Sequence, residues 1–439
     1  MTSPSSDRAR PVAPAHPGPR ADGTRPPADT RWRVARLLTA PHRLGFFSAA
    51  LMLAVSALWW ALALAARHAG VALPWAVPPP LAHALFMAMG FMPLFIVGFL
   101  FTAGPRWLGL SDVPARSLRN PVLAMLAGWA LALAGFHFHA LLAGVGVAVV
   151  AGGWGAIVLR FFGLLRTSPV ADQLHARVIT TASAIGALAL AAAALALAGG
   201  HVTGTRVATQ LALWGCLAPI FATVSHRMIP FFTASALPFL DAWRPNWLLW
   251  VMLAVLAVSG AGAMAEGLWW PLPAPWRWAQ VAVEAPAALL MLWLAVRWGL
   301  VQSLKIRLLA MLHGGFVWLG LALALAAVSH GLMASGSEGL GLAPMHALSM
   351  GYLGATLIAM ITRVAAGHSG RPLAADDLAW TLYWTLQTAT LLRVGAALWP
   401  AAEVPLVLLA VAAWAGATTG WACRYGGWLG RPRADGRPG

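Results

Sequence analysis

Residues 81–107 read LAHALFMAMGFMPLFIVGFLFTAGPRW. No charged side chain interrupts the run from Leu81 to Pro105. A bilayer core needs about 20 apolar residues of α-helix to cross it, so this stretch predicts a membrane span. It also carries polar groups at its two ends. His83 lies near its start, Met87 follows four residues later, and Arg106 ends it after a Gly-Pro stop.

Eleven more stretches read the same way: roughly 46–67, 121–136, 140–162, 177–199, 207–225, 247–268, 278–298, 307–329, 344–365, 378–399 and 403–423. The short 121–136 run is joined to the next through His137-Phe-His139. Composition agrees. Of 439 residues, 60% are hydrophobic and 10% charged, against about 25% charged in a soluble chain. The expected fold is therefore all-α, a polytopic bundle of about twelve transmembrane helices over 45–425. Residues 1–44, rich in Pro, Ala and Arg, read as a disordered basic tail. Residues 426–439 read as a short basic tail.

The net charge of +16 suggests nucleic acid until the arginines are placed on the spans. With twelve crossings and the N-terminus inside, all but four of the 29 basic residues fall on one side. The exceptions are Arg67, Arg206, Arg277 and Arg393. That is a positive-inside pattern with both termini cytoplasmic. The charge reports orientation, and no basic-aromatic ladder for nucleic acid accompanies it. Cys216 and Cys423 form no CxxC or disulfide framework. HExxH, GxSxG and phosphate-binding glycine motifs are absent. Among acids, only Glu284 lies well inside a span, with Glu266 and Glu403 near span ends.

Histidine, methionine and a few arginines remain to carry chemistry. Span 2 opens with His83-Ala-Leu-Phe-Met87 and span 10 with His346-Ala-Leu-Ser-Met350. The i,i+4 spacing puts His and Met on one helix face, and both groups ligate haem iron or Cu(I). Apolar filler at an interface is the plainer reading of the same spacing. His137 and His139 form a second candidate, for copper. The inner ends of spans 2, 6 and 10 carry Arg106, His226-Arg227, Arg363 and His368. Anchoring at the inner surface competes there with a cation cluster for haem propionates or an anionic substrate.

Three of these stretches together resemble the NnrS family: His83 to Trp107, HRMIPFFT at 226–233, and HALSMGYLGATLIAMITRVAAGHSGRPL at 346–373. The resemblance implies a multi-pass protein of the bacterial inner membrane that contains haem, of b type, and copper. It implies a link to nitric oxide, denitrification and nitrosative stress, with nitric oxide or nitrosylated iron as ligand. His83, His346, His226, Arg227, Arg363 and His368 match the family's recurrent polar positions. Many members open span 2 with His-x-His-Glu. Here that position reads His83-Ala-Leu85-Phe86, which weakens a copper site at that helix more than a haem site. A transporter without cofactor, or an accessory subunit with a respiratory-chain partner, are the alternatives.

Overall fold

The computed structural model describes residues 30–437. Twelve long helices account for most of them, and no strand occurs among the described residues. They are α1 (Pro41–His68), α2 (Pro79–Trp107), α3 (Arg119–Phe138), α4 (Ala140–Thr167), α5 (Leu174–Ala198) and α6 (Val202–Ala236). There follow α7 (Asn246–Leu268), α8 (Ala274–Arg297), α9 (Arg307–Ala334), α10 (Ala343–His368), α11 (Asp377–Leu398) and α12 (Glu403–Leu429).

Eleven of the twelve are long and apolar enough to cross a bilayer. The exception is α11, which carries Thr381, Thr385, Gln387, Thr390 and Arg393. Its 22 residues still reach about 33 Å at 1.5 Å per residue. Two of its buried polar side chains bond to α9 inside the bundle. The Trp318 indole donates to Gln387 Oε1 at 2.8 Å, and the Tyr383 hydroxyl donates to the Met311 carbonyl at 2.7 Å. The short third span also lengthens: α3 runs 20 residues. His139 alone, in extended backbone (φ −162°, ψ 119°), turns the chain into α4.

Apolar side chains cover both the core and the lipid face, as a bundle in lipid requires. Leu62, Leu159, Leu188 and Leu195 point outward. The buried share of each span shows which helices are central: 89% for α2, 78% for α10 and 72% for α9, against 28% for α12. Small residues let helices touch backbone to backbone. At the α1–α2 crossing, a Cβ on Gly45 would strike the Gly98 backbone.

The central helices that carry the sequence motifs are also irregular. In α2 the helix is interrupted at Gly90-Phe91, where Pro93 two residues on has no N–H to give. In α6 the segment Leu213–Leu217 is π-helical, and in α10 so is Ala347–Gly354. Such segments recur at functional sites.

α1 begins beside the end of α12, so both described termini sit at one end of the bundle, the terminal end. The opposite face is the far end. Order begins earlier than the expected tail boundary at 44. The Arg33 N–H donates to the Gly430 carbonyl at 2.9 Å, and Arg43 Nη1 donates to the carbonyls of Leu429 (2.9 Å) and Arg431 (2.7 Å). The Ala434 N–H donates to the Ser369 carbonyl at 2.8 Å, so the C-terminal stretch is also held. Backbone carbonyls left open by the end of a helix draw in the guanidinium, which gives these segments their order. The rest of the expected tail, 1–29, lies outside the described residues.

Candidate functional site

The first site lies toward the far end, between α2 and α10. His346 is close enough to His83 to act on it electrostatically, and Arg393 of α11 acts on both. Both rings are half-buried although their helices are the most buried in the bundle. The His83 ring stacks on Trp60 of α1, with centroids 4.1 Å apart and planes 24° apart. His83 Nδ1 is buried without a partner.

His346 is held differently. Its Nδ1–H donates to the Leu342 carbonyl one turn back, at 3.0 Å. That bond fixes the ring and leaves Nε2 as a free lone pair, the state in which imidazole binds metals. The π-helical stretch starts at the next residue. Met87 and Met350 lie half-buried against the core, four residues beyond each histidine. Nitrogen donors fixed in orientation, thioethers beside them and one cation nearby match the chemistry of a haem pocket.

His137, His139 and His226 do not offer a copper ion the same opportunity. His137 has both nitrogens engaged: Nδ1–H donates to the Pro74 carbonyl at 2.9 Å, and Nε2 accepts from the Trp59 indole at 2.9 Å. His139 is exposed at the start of α4. His226 is also fully engaged. Its Nε2–H donates to the Pro245 carbonyl at 3.1 Å, and its Nδ1 accepts from His175 Nε2–H at 3.0 Å. The lone pair is thereby passed to His175 Nδ1, which is buried without a partner. Among the described residues, no three His, Cys, Asp or Glu side chains gather in a metal-binding group. These donors do not fit a copper centre.

The terminal end gathers the other predicted residues. His368 lies against His42 of α1, with centroids 4.3 Å apart, and Arg43, Arg106 and Arg433 act on this pair. A metal cation there would face three guanidinium groups, so the surroundings of His368 favour an anion. Arg227 sits over the Trp107 ring at 4.7 Å, and Arg363 over the Phe232 ring at 4.2 Å. The ends of α2, α6 and α10 thus interlock through cation–π contacts. Aromatic faces hold two of the three arginines.

Four participants escaped the sequence reading as site residues. Arg393 was countable, as one of the four basic residues on the wrong side. Trp60, His42 and His175 carry no local signal in the sequence that sets them apart from an ordinary span-end tryptophan or histidine.

Between α2, α5, α6 and α10 lies an apolar cavity of about 50 Å³, lined by Phe95, Phe99, Ile179, Phe221, Thr356 and Met360 among others. It is far too small for a macrocycle and large enough for a diatomic molecule, given about 30 Å³ per water in the liquid. The family model described as NnrS protein matches residues 36–433. No curated protein matches the chain.

Proposed function

The chain belongs to the NnrS family, and on that footing we propose that it binds haem in the bacterial inner membrane and acts in the response to nitric oxide. The observation that carries this reading is the His83–His346 pair: two imidazoles close enough to interact, one with Nδ1 fixed and Nε2 free, the other with a buried unpartnered nitrogen. Haem iron held there would supply a centre that takes up nitric oxide.

The chain's own residues do the rest. Trp60 fixes the plane of His83. Leu342 fixes the tautomer of His346. Arg393 is the cation positioned for a carboxylate of the macrocycle, in place of the inner Arg106. The apolar cavity at the bundle core suits a small uncharged gas. The arginine count supports a terminal end in the cytoplasm and, with it, a pocket in the outer half of the membrane.

Absorption spectroscopy of the purified protein, expressed with haem supplied, tests the proposal. The wild type is expected to show a Soret band that shifts on adding nitric oxide. His83→Ala and His346→Ala lose the band, and His226→Gln keeps it. Colourless wild-type protein that is folded by size exclusion overturns the reading. So does a band that survives in both single variants.

A further inference from the structure

A second polar feature lies away from the histidine pair, where α8 packs between α7 and α9. Glu284 on α8 is 1% exposed. It lies ten residues into α8, about 15 Å along the helix at 1.5 Å per residue, near the middle of a 30 Å core. Its two oxygens are separately engaged. Oε1 accepts from the Ser259 hydroxyl of α7 at 3.0 Å, and Oε2 pairs with His330 Nδ1 of α9 at 2.7 Å. An acid in the middle of a span is costly and marks function by default.

The pair does not stand alone. Arg277, Gln280 and Glu284 recur at i, i+3 and i+7, one buried face of α8. Ser259, Gly262 and Glu266 repeat the same spacing on α7. Gly262 is where α7 makes room for Gln280, since a Cβ there would overlap the amide. Arg277 Nε donates to the Leu272 carbonyl at 3.1 Å, while its Nη1 stays 3.9 Å from Glu266 Oε1. Four atoms along this face are buried without a hydrogen bond: Glu266 Oε1 and Arg277 Nη1, which face one another as a loose ion pair, and Oε1 and Nε2 of Gln280. Both Arg277 and Gln280 are 4% exposed. Buried polar atoms in such number are satisfied by ordered water.

We propose that Glu284 and His330 form an intramembrane proton-transfer pair, reached from the far end through a hydrated file past Glu266, Arg277 and Gln280. A proton from file water adds to His330 Nε2. The proton on Nδ1 crosses to Glu284 Oε2. The carboxylate becomes the acid, and the imidazole is left neutral as its Nε2–H tautomer. Reversal returns the proton to the file. The ionisable groups of the file are His330, Glu284, Arg277 and Glu266, with Arg206 of α6 beside Gly267 at the mouth. The pair is independent of the haem reading, since it uses none of the same residues.

The test uses the full-length wild type in sealed vesicles sorted by orientation, with dicyclohexylcarbodiimide as probe. This apolar reagent modifies protonated carboxyls within membranes, and mass spectrometry locates the adduct. Labelling at Glu284 is expected to rise on acidification of the far face and not of the terminal face. His330→Gln is expected to change the pH at which labelling sets in, and Glu284→Gln to abolish the adduct. Exchanging sodium for choline should leave the rate unchanged. Three outcomes overturn the proposal: an unlabelled Glu284, labelling that ignores pH or follows the terminal face, or protection by sodium.

Discussion

Replacing Gly45 by alanine should destabilise the bundle, and the amount follows from the α1–α2 crossing. The new Cβ would stand 2.9 Å from the Leu94 carbonyl oxygen and closer still to the N and Cα of Gly98. All three atoms are backbone, so no side chain can swing aside and the two helices must part. Overpacking of this kind costs about 1–3 kcal/mol, and an all-backbone clash belongs at the top of that range. Alanine returns about 1 kcal/mol of helix propensity, leaving a net loss of about 2 kcal/mol. Gly152 on α4 is the control. It is exposed, and an added Cβ meets nothing within 4 Å. Gly152→Ala therefore keeps the propensity gain without the clash, about 1 kcal/mol stabilising. The two variants should differ by about 3 kcal/mol, over a hundredfold in the unfolding equilibrium. Reversible unfolding in mixed detergent micelles, followed by tryptophan fluorescence, reads both on one scale. Equal effects, or a Gly45→Ala protein as stable as wild type, would refute the close crossing.

Two other predictions test the ends and the most polar helix. Gln387→Leu should cost about 1–3 kcal/mol, because it leaves the buried Trp318 indole N–H without its acceptor. Thr388→Val, on the exposed face of the same helix, should stay within about 0.5 kcal/mol; a reversed order would mean α11 is wrongly oriented. The C-terminal clasp should be indifferent to mild acid. Arg433, hydrogen-bonded to Asp435 at 2.9 and 2.5 Å, holds that carboxyl down to about 2. A lowered folded-state pKa means the stabilisation is complete above the ordinary value of about 3.9 and is lost only as pH falls through the folded one. Hydrogen-exchange protection of the Ala434 amide, corrected for intrinsic rate, should therefore be flat from neutral pH to about 4.5. Loss of protection within that interval would sink the argument.

The helices were legible because lipid imposes a simple rule: every backbone polar group must be satisfied within the segment, so a long apolar run has one solution. The rule falters where side chains serve the interior. α11 is the least apolar of the twelve because Gln387 and Tyr383 point inward at Trp318 and at the Met311 carbonyl. The tails were misjudged for a related reason. Arg43 reads as tail charge, yet its role is to occupy carbonyls at the end of α12 that sequence proximity cannot reveal.

The histidines show a sharper limit. Spacing tells which face of a helix a ring occupies. It does not tell whether the ring keeps a lone pair. His346 keeps one because its hydrogen bond is local, made one turn back within its own helix. His226 and His137 do not, because partners far along the chain, His175 and Trp59, occupy the second nitrogen. The paired His-Ala-Leu-x-Met starts were therefore readable as a candidate site, whereas the fate of the other histidines needed the tertiary structure.

The four basic residues that break the charge asymmetry connect these observations. If they were scatter, they would have no reason to fall at special places. Instead Arg393 acts on both His83 and His346, and Arg67 lines a groove with Trp60, the ring on which His83 stacks. Arg277 stands in the α7–α8 polar file, and Arg206 packs beside Gly267, next to Glu266 at its mouth. Each exception adjoins one of the two far-end sites argued above. A positive charge on that side works against the orientation the other arginines impose, so each needs a local partner that favours it there. At the histidine pair the Glu403 carboxylate acts on Arg393, and in the file the partner is the Glu266 carboxylate. The charge pattern that first excluded nucleic acid thus also marks, by its exceptions, where the chemistry of this bundle is concentrated.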